Sequence, residues 1–96
     1  MQLAQTSREY VRVSLTATGD NGNPVTATGP RLAFLAGNDN PGEDDWHDAE
    51  TDDDGHARVL VGPDAIELDT GNYWVWITCT AGAEQPVERA GRLRIY

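Results

Sequence analysis

Cysteine, methionine and phenylalanine each occur once in these 96 residues, and lysine does not occur at all. With Cys79 alone there is no internal disulfide, so the fold is expected to stand on packing, as suits a reducing compartment. No run approaches the roughly 18 apolar residues needed to span a membrane. The opening Met1-Gln-Leu-Ala-Gln-Thr-Ser-Arg8 lacks a basic start followed by an apolar stretch, so a secretory signal is not expected either. Together these absences point to a soluble protein. Glycine-rich phosphate motifs are missing, and neither Ser7 nor Ser14 sits in a nucleophile-elbow context. No window carries a sustained 3.6-residue apolar stripe, which excludes a substantial helix.

Positive charge is scarce as well. Seven arginines face 16 acidic residues, a net charge of −9. That balance argues against nucleic-acid binding, which needs a basic face for phosphates, and against docking on anionic lipid. Arginine and alanine have GC-rich codons and lysine AT-rich ones, so the composition suggests a high-GC host.

What is present is alternation. From Glu9 to Thr18, Val11, Val13, Leu15 and Ala17 fall on one face and Arg12, Ser14, Thr16 and Thr18 on the other, the pattern of a half-buried strand. Gly19-Asp-Asn-Gly-Asn-Pro24 ends it in turn formers. Val25 to Thr28 reads as a short extended piece, Gly29-Pro30 as a turn, and Leu32 to Ala36 as a strand. Residues 37–55 form a polar loop rich in acids. Ala57 to Val61 is a further strand, Tyr73 to Thr80 the longest, and Val87 to Tyr96 the last, with Leu93 and Ile95 inward and Arg92 and Arg94 outward. Short strands with turn signals every 8–12 residues indicate a sandwich. Nothing in residues 1–7 patterns as core, so they read as an extended arm before one domain at 8–96.

The corner Leu68-Asp-Thr-Gly71-Asn-Tyr73-Trp-Val75 sharpens this. A tyrosine just after a tight corner, opening the penultimate strand, hydrogen-bonds back to upstream backbone in immunoglobulin-type sandwiches. The run resembles the Asp-x-Gly-x-Tyr-x-Cys segment of those domains, with Val75 in the cysteine's place. The expected fold is therefore all-β, an immunoglobulin-like sandwich of about seven short antiparallel strands.

Chemistry-bearing residues are few. Acids crowd the 37–55 loop, and clustered carboxylates suit Ca²⁺, which takes six to eight oxygens. Asp48, Glu50, Asp52 and Asp54 are the calcium candidates, but contiguous aspartates do not reproduce a calcium-loop spacing, and a solvated loop is the expectation. His47 and His56 stand nine residues apart, a weak pattern for zinc or iron. Cys79, on the apolar face with Tyr73, Val75 and Ile77, reads as a small buried hydrophobe. Trp74 and Trp76 lie on the other face of that strand. They mark either a partner interface or an aromatic cluster covered by the 37–55 loop through Trp46, with sugar stacking a further alternative. The expected attachment surface joins the N-terminal arm and Arg8 to Tyr10, Trp74 and Trp76.

Gly22-Asn-Pro24-Val25-Thr-Ala-Thr28-Gly29-Pro-Arg-Leu32-Ala-Phe34 resembles the Gly-x-Pro-Val-x-x-Thr-Gly-x-x-Val-x-Phe segment in the N-terminal modules of phage baseplate upper proteins. Gly55-His-Ala-Arg-Val59, Gly71-Asn-Tyr73-Trp-Val75 and Ala90-Gly91-Arg-Leu93-Arg-Ile95 continue that pattern in order. Arg8-Glu-Tyr10-Val11-Arg12-Val13, Leu60-Val61-Gly62-Pro63 and Pro86-Val87-Glu-Arg89-Ala90-Gly91 are similar to a small structural protein encoded among the head and head–tail genes of actinobacterial siphophages. The likeness covers residues 8–96. It implies an immunoglobulin-like fold without enzyme activity or cofactor, made in the host cytoplasm and carried on the virion. Its partners would be capsid or neck and tail proteins, not nucleic acid or membrane, with room for a homo-oligomer on the particle. The rival class is a carbohydrate-binding or adhesion module using Trp46, Trp74 and Trp76, with Ca²⁺ held by the acids.

Overall fold

A computed structural model describes residues 1–14, 27–53 and 55–96. The second half of the strand expected from Glu9, the turn at 19–24, Val25 and Thr26 lie outside the described residues, as does the calcium candidate Asp54. The elements are β1 (Gln2–Leu3), β2 (Glu9–Ser14), β3 (Ala27–Leu35), β4 (His47–Asp48), β5 (Glu50–Thr51), β6 (His56–Val61), β7 (Gly71–Ala81) and β8 (Val87–Ile95). The only helical piece among the described residues is a single 3-10 turn at Glu43–Asp45. It is closed by the Asp45 carboxylate, which accepts from the Gly42 N–H at 2.8 Å.

Two sheets form: a larger one in the order β1-β8-β7-β3-β4 and a smaller one in the order β2-β6-β5. All pairings are antiparallel except β1 with β8. With β3, β7 and β8 together and β2, β6 and β5 opposite, the two sheets form an all-β sandwich. Alternation places the core between the sheets. Val11, Val13, Val59 and Val61 come from the smaller sheet, and Leu32, Phe34, Val75, Leu93 and Ile95 from the larger. Ile77 and Tyr73 pack against that cluster, and Cys79 is buried on the same side. The Tyr73 hydroxyl donates to the Asp69 carbonyl at 2.8 Å, which makes the expected corner.

Three details differ from the sequence reading. Residues 1–7, read as an extended arm with nothing in it patterned as core, are tied into the larger sheet: the N–H groups of Arg94 and Tyr96 donate to the carbonyls of Met1 and Leu3, and Gln5 N–H donates to the Tyr96 carbonyl. Leu3 packs on the core, and β1 shields part of the β8 edge, a place where an open strand invites pairing. Gly29-Pro30 does not turn the chain. It sits inside β3, where the register against β7 shifts between Thr28 and Arg31 and Gly29 takes φ 59°, the conformation a glycine bulge needs. The 37–55 segment also holds β4 and β5, each too short to show a period of two.

Candidate contact surface

Directly opposed residues of an antiparallel pair share a face. On the outer side of the larger sheet, Trp74 lies opposite Leu35 and Arg92, Trp76 opposite Ala33 and Arg89, and Thr78 opposite Arg31. Arg89 and Arg92 are three residues apart, a spacing that sends side chains to opposite faces of a regular strand. The register of β7 against β8 shifts between Val75 and Trp76, leaving Ala90 as the extra residue. This bulge returns Arg89 to the face of Arg92.

The result is a layered stack. The guanidinium carbons of Arg89 and Arg92 both lie 4.6 Å from the Trp74 ring centre, and Arg89 also lies 5.1 Å from Trp76. Arg31 stands 5.8 Å over Trp46, and Arg94 5.9 Å over Tyr96. Each such contact is worth about 0.5–1 kcal/mol at an exposed site. Arg89 also donates through Nη2 to the Asn38 carbonyl at 3.3 Å, so the loop after β3 is tied to β8 across the aromatic layer.

Stacking uses the planes of these guanidiniums and leaves N–H groups at their edges, the geometry that matches carboxylates in pairs. Among the described residues no carboxylate lies within 4.0 Å of Arg31, Arg89, Arg92 or Arg94. The smaller sheet is different. Its outer face stacks Arg58 at 4.3 Å and Arg12 at 5.7 Å on Tyr10, but Arg58 meets Glu50 at 3.3 Å and Arg12 meets Asp52 at 3.7 Å. Four of the chain's seven arginines thus form a cationic, aromatic face without carboxylate partners in an acidic protein.

The expected attachment surface is not assembled as one unit. Tyr10 lies on the smaller sheet and the tryptophans on the larger, so the sandwich separates them. Arg8 lies where the chain crosses between sheets, its backbone against Gly62. Of the two readings of Trp76, an exposed interface or a covered cluster, the structure favours cover: it is on the outer face but only 7% exposed, with Arg89 5.1 Å from its ring centre. Its indole Nε1 is buried with no hydrogen-bond partner among the described residues. Trp74 keeps partial exposure. Sequence reasoning missed Arg31 and Arg89 as members of this face. The outward positions of Arg92 and Arg94 were the available signal.

The calcium candidates are divided. Asp48 pairs in the larger sheet opposite Arg31, while Glu50 and Asp52 meet Arg58 and Arg12 on the smaller. Asp52 Oδ1 also accepts the His56 N–H at 2.9 Å. His47 instead leans on Phe34, ring centres 6.0 Å apart. Among the described residues no three His, Cys, Asp or Glu side chains come together as a metal group. Burial, and then the charge of Glu88, push the Cys79 thiol above its ordinary pKa, the opposite of nucleophile activation. A cleft of about 230 Å³ beside Leu3, Ser7, Gly62, Leu68 and Ile95 is below the usual ligand-pocket range. No described helix is long and apolar enough to cross a membrane.

Compared with protein-family models, curated proteins and solved structures, the chain finds no match in any of the three.

Proposed function

We propose that this chain is a non-enzymatic structural module of a phage particle, held there by protein–protein contact as capsid decoration or as a head–tail component. The observation that carries the contact role is the outer face of the larger sheet. There, Arg89 and Arg92 both lie 4.6 Å from the Trp74 ring centre, and neither has a carboxylate partner among the described residues. Tryptophan and arginine are the residue types that dominate binding energy at interfaces. The particle itself rests on the motif resemblance set out above. Arg92 and Trp74 are the residues whose substitution probes attachment, because a change at the buried Trp76 would report on packing.

Quantitative mass spectrometry of purified virions, measuring this chain against the major capsid protein, tests the reading. Copies on the order of hundreds mean decoration, and about five to a dozen mean a ring, since particle symmetry fixes such counts. Absence from the particle overturns it.

A carbohydrate-binding module remains the rival, supported by the partial exposure of Trp74. Against it, Trp46, Trp74 and Trp76 each already have a guanidinium within 6 Å of the ring centre. A tryptophan-fluorescence titration with cell-wall glycans, with and without calcium, discriminates the two.

A further inference from the structure

β8 runs for nine residues, and β1, its outer neighbour, for two. β1 pairs with Arg94 and Ile95 only, and the Met1 amino group reaches one step further, to the Arg92 carbonyl at 3.2 Å. Among the described residues no strand lies against the outer side of Val87 to Gly91. Val87, Glu88, Arg89 and Ala90 are all exposed. Alternate residues of a strand send their N–H and C=O groups to opposite sides. This stretch is therefore an open edge, the template to which an extended segment adds.

Both flanks of that edge suit particular side chains. Toward the smaller sheet, a groove of about 290 Å³ opens between Ile77 and Ala90 on one side and Val13 on the other, with Met1 at its β1 end. Small apolar side chains fit there. Toward the outer face, Arg89 and Arg92 rest on Trp74 and meet no carboxylate within 4.0 Å among the described residues. Because the bulge at Ala90 returns Arg89 to the face of Arg92, both arginines flank one side of any strand laid along this edge. At the usual spacing of about 4.7–4.9 Å, the outward side chains of that strand stand beside the guanidiniums. β1 shows the arrangement on a small scale: Leu3 packs inward on the core, and Gln2 is exposed opposite Arg94.

We infer that the outer edge of β8, from Val87 to Gly91, takes up an extended segment of a partner protein in which acidic residues alternate with small apolar ones. The inference rests on reading Arg89 and Arg92 as contact residues, and it specifies the partner's chemistry and how it docks. The acidic side chains meet guanidiniums already held in place by stacking, and the apolar ones cover the groove. Main-chain hydrogen bonds supply affinity and the alternating side chains supply selection. A second copy of β8 does not fit. Edge to edge it sets arginine beside arginine, and like charges directly opposite are destabilising.

The probe is a fluorescein-labelled peptide of about six residues, the usual strand length, in which glutamate alternates with valine. Binding to the full chain is followed by fluorescence anisotropy up to about 1 mM peptide, the weak end of specific contact. Glutamine in place of the peptide's glutamates is expected to weaken binding roughly tenfold, and so is Arg92→Glu, checked by circular dichroism. N-methylating alternate peptide residues blocks donation along one edge. Binding is expected to be lost in one phase of methylation and kept in the other. Amide exchange gives the position: N–H groups within Val87–Gly91 are expected to slow on saturation with peptide.

No binding of the glutamate peptide overturns the inference. Protection elsewhere in the chain overturns it too, as does binding that survives N-methylation in both phases. Virion association keeps this inference apart from the function proposed above. If the Arg92→Glu chain is lost from particles although the peptide does not bind, the face remains a contact surface and its partner is not an added strand. If that chain stays on particles like wild type, the contact reading of the face falls, and the inference with it.

Discussion

Gly62 shows how a single residue fixes the crossing between the sheets. A Cβ there would sit 2.2 Å from the Ser7 carbonyl oxygen and 2.7 Å from Arg8 Cα, and its φ is 132°. Gly62→Ala therefore meets both a backbone clash and a conformation that side chains resist. It should cost about 2–5 kcal/mol, taking overpacking and backbone strain together. Gly37→Ala, with nothing within 4 Å of its Cβ, should stay within about 0.5 kcal/mol as an ordinary surface change. Chemical denaturation of both variants checks the contrast; equal losses would mean that the close approach at Gly62 is easily relieved. Tyr73 makes a second residue-scale prediction. Burial, and then the nearby Asp69 charge, raise its pKa above the ordinary value. A raised value means the folded state holds the proton more tightly, so its contribution is full below about pH 10 and is lost as pH climbs through the folded pKa. Cys79 is shifted the same way and adds to the alkaline loss. Tyr73→Phe should lose about 0.5–1.5 kcal/mol at neutral pH with its bond to Asp69, and its stability should fall less steeply than wild type above pH 10. Parallel alkaline curves for the two proteins would remove Tyr73 from the account.

At the scale of elements, Arg89 is the link between β8, the aromatic layer and the loop after β3. Replacing it with alanine removes two stacking contacts and the bond to Asn38, and uncovers Trp76. The expected loss is about 1.5–3.5 kcal/mol, from two contacts at the exposed-site value and one hydrogen bond. Tryptophan emission should shift to the red as the indole meets water. Unchanged emission would mean that the loop alone covers Trp76. This link also marks where the sequence stopped being legible. β2, β6 and the inward positions of β7 and β8 were readable because each buries one face, and alternation records that directly. The corner was readable because Tyr73 follows Gly71 at the spacing the motif requires. β4 and β5 were not, since two polar residues carry no period. Gly29-Pro30 has the composition of a turn, and only the pairing with β7 makes it a bulge. The site was half legible. Trp74 and Trp76 fell on the outer face as alternation demands, but alternation does not record that Trp76 is buried there with Arg89 against its ring. The odd spacing of Arg89 and Arg92 argues against a shared face unless the extra residue, Ala90, is known. Tyr10 was grouped with the tryptophans because period-two reading gives a face for each strand without saying which sheet the strand joins.

For the whole molecule, the balance of charge has a consequence that the individual contacts do not show. The chain carries −9, and the arginine–carboxylate pairs among the described residues, Arg12 with Asp52 and Arg58 with Glu50, lie on one sheet, each with one exposed partner, Arg12 at 54% and Glu50 at 67%. Pairs at such exposure contribute little, about 0–1 kcal/mol. Repulsion among the surplus acids acts over the whole particle and favours expansion. At 0.01 M salt the screening length is about 30 Å, and at 0.15 M about 8 Å, against a Cα radius of gyration of 13.6 Å. Charges on opposite sides of the domain therefore feel one another in dilute salt and are largely hidden at the higher strength. Raising sodium chloride between those limits should increase the thermal midpoint by several degrees, since about 1 kcal/mol moves it by roughly 4–8 °C in a domain of this size. The measurement belongs at a low chain concentration, where self-association adds nothing to the apparent stability. A midpoint that falls instead would mean that the short-range arginine contacts outweigh the surplus of acid. Arg92→Glu with Arg94→Glu separates the two effects: by adding four units of negative charge it should steepen the rise with salt if repulsion dominates, and flatten the fall if the arginine contacts do.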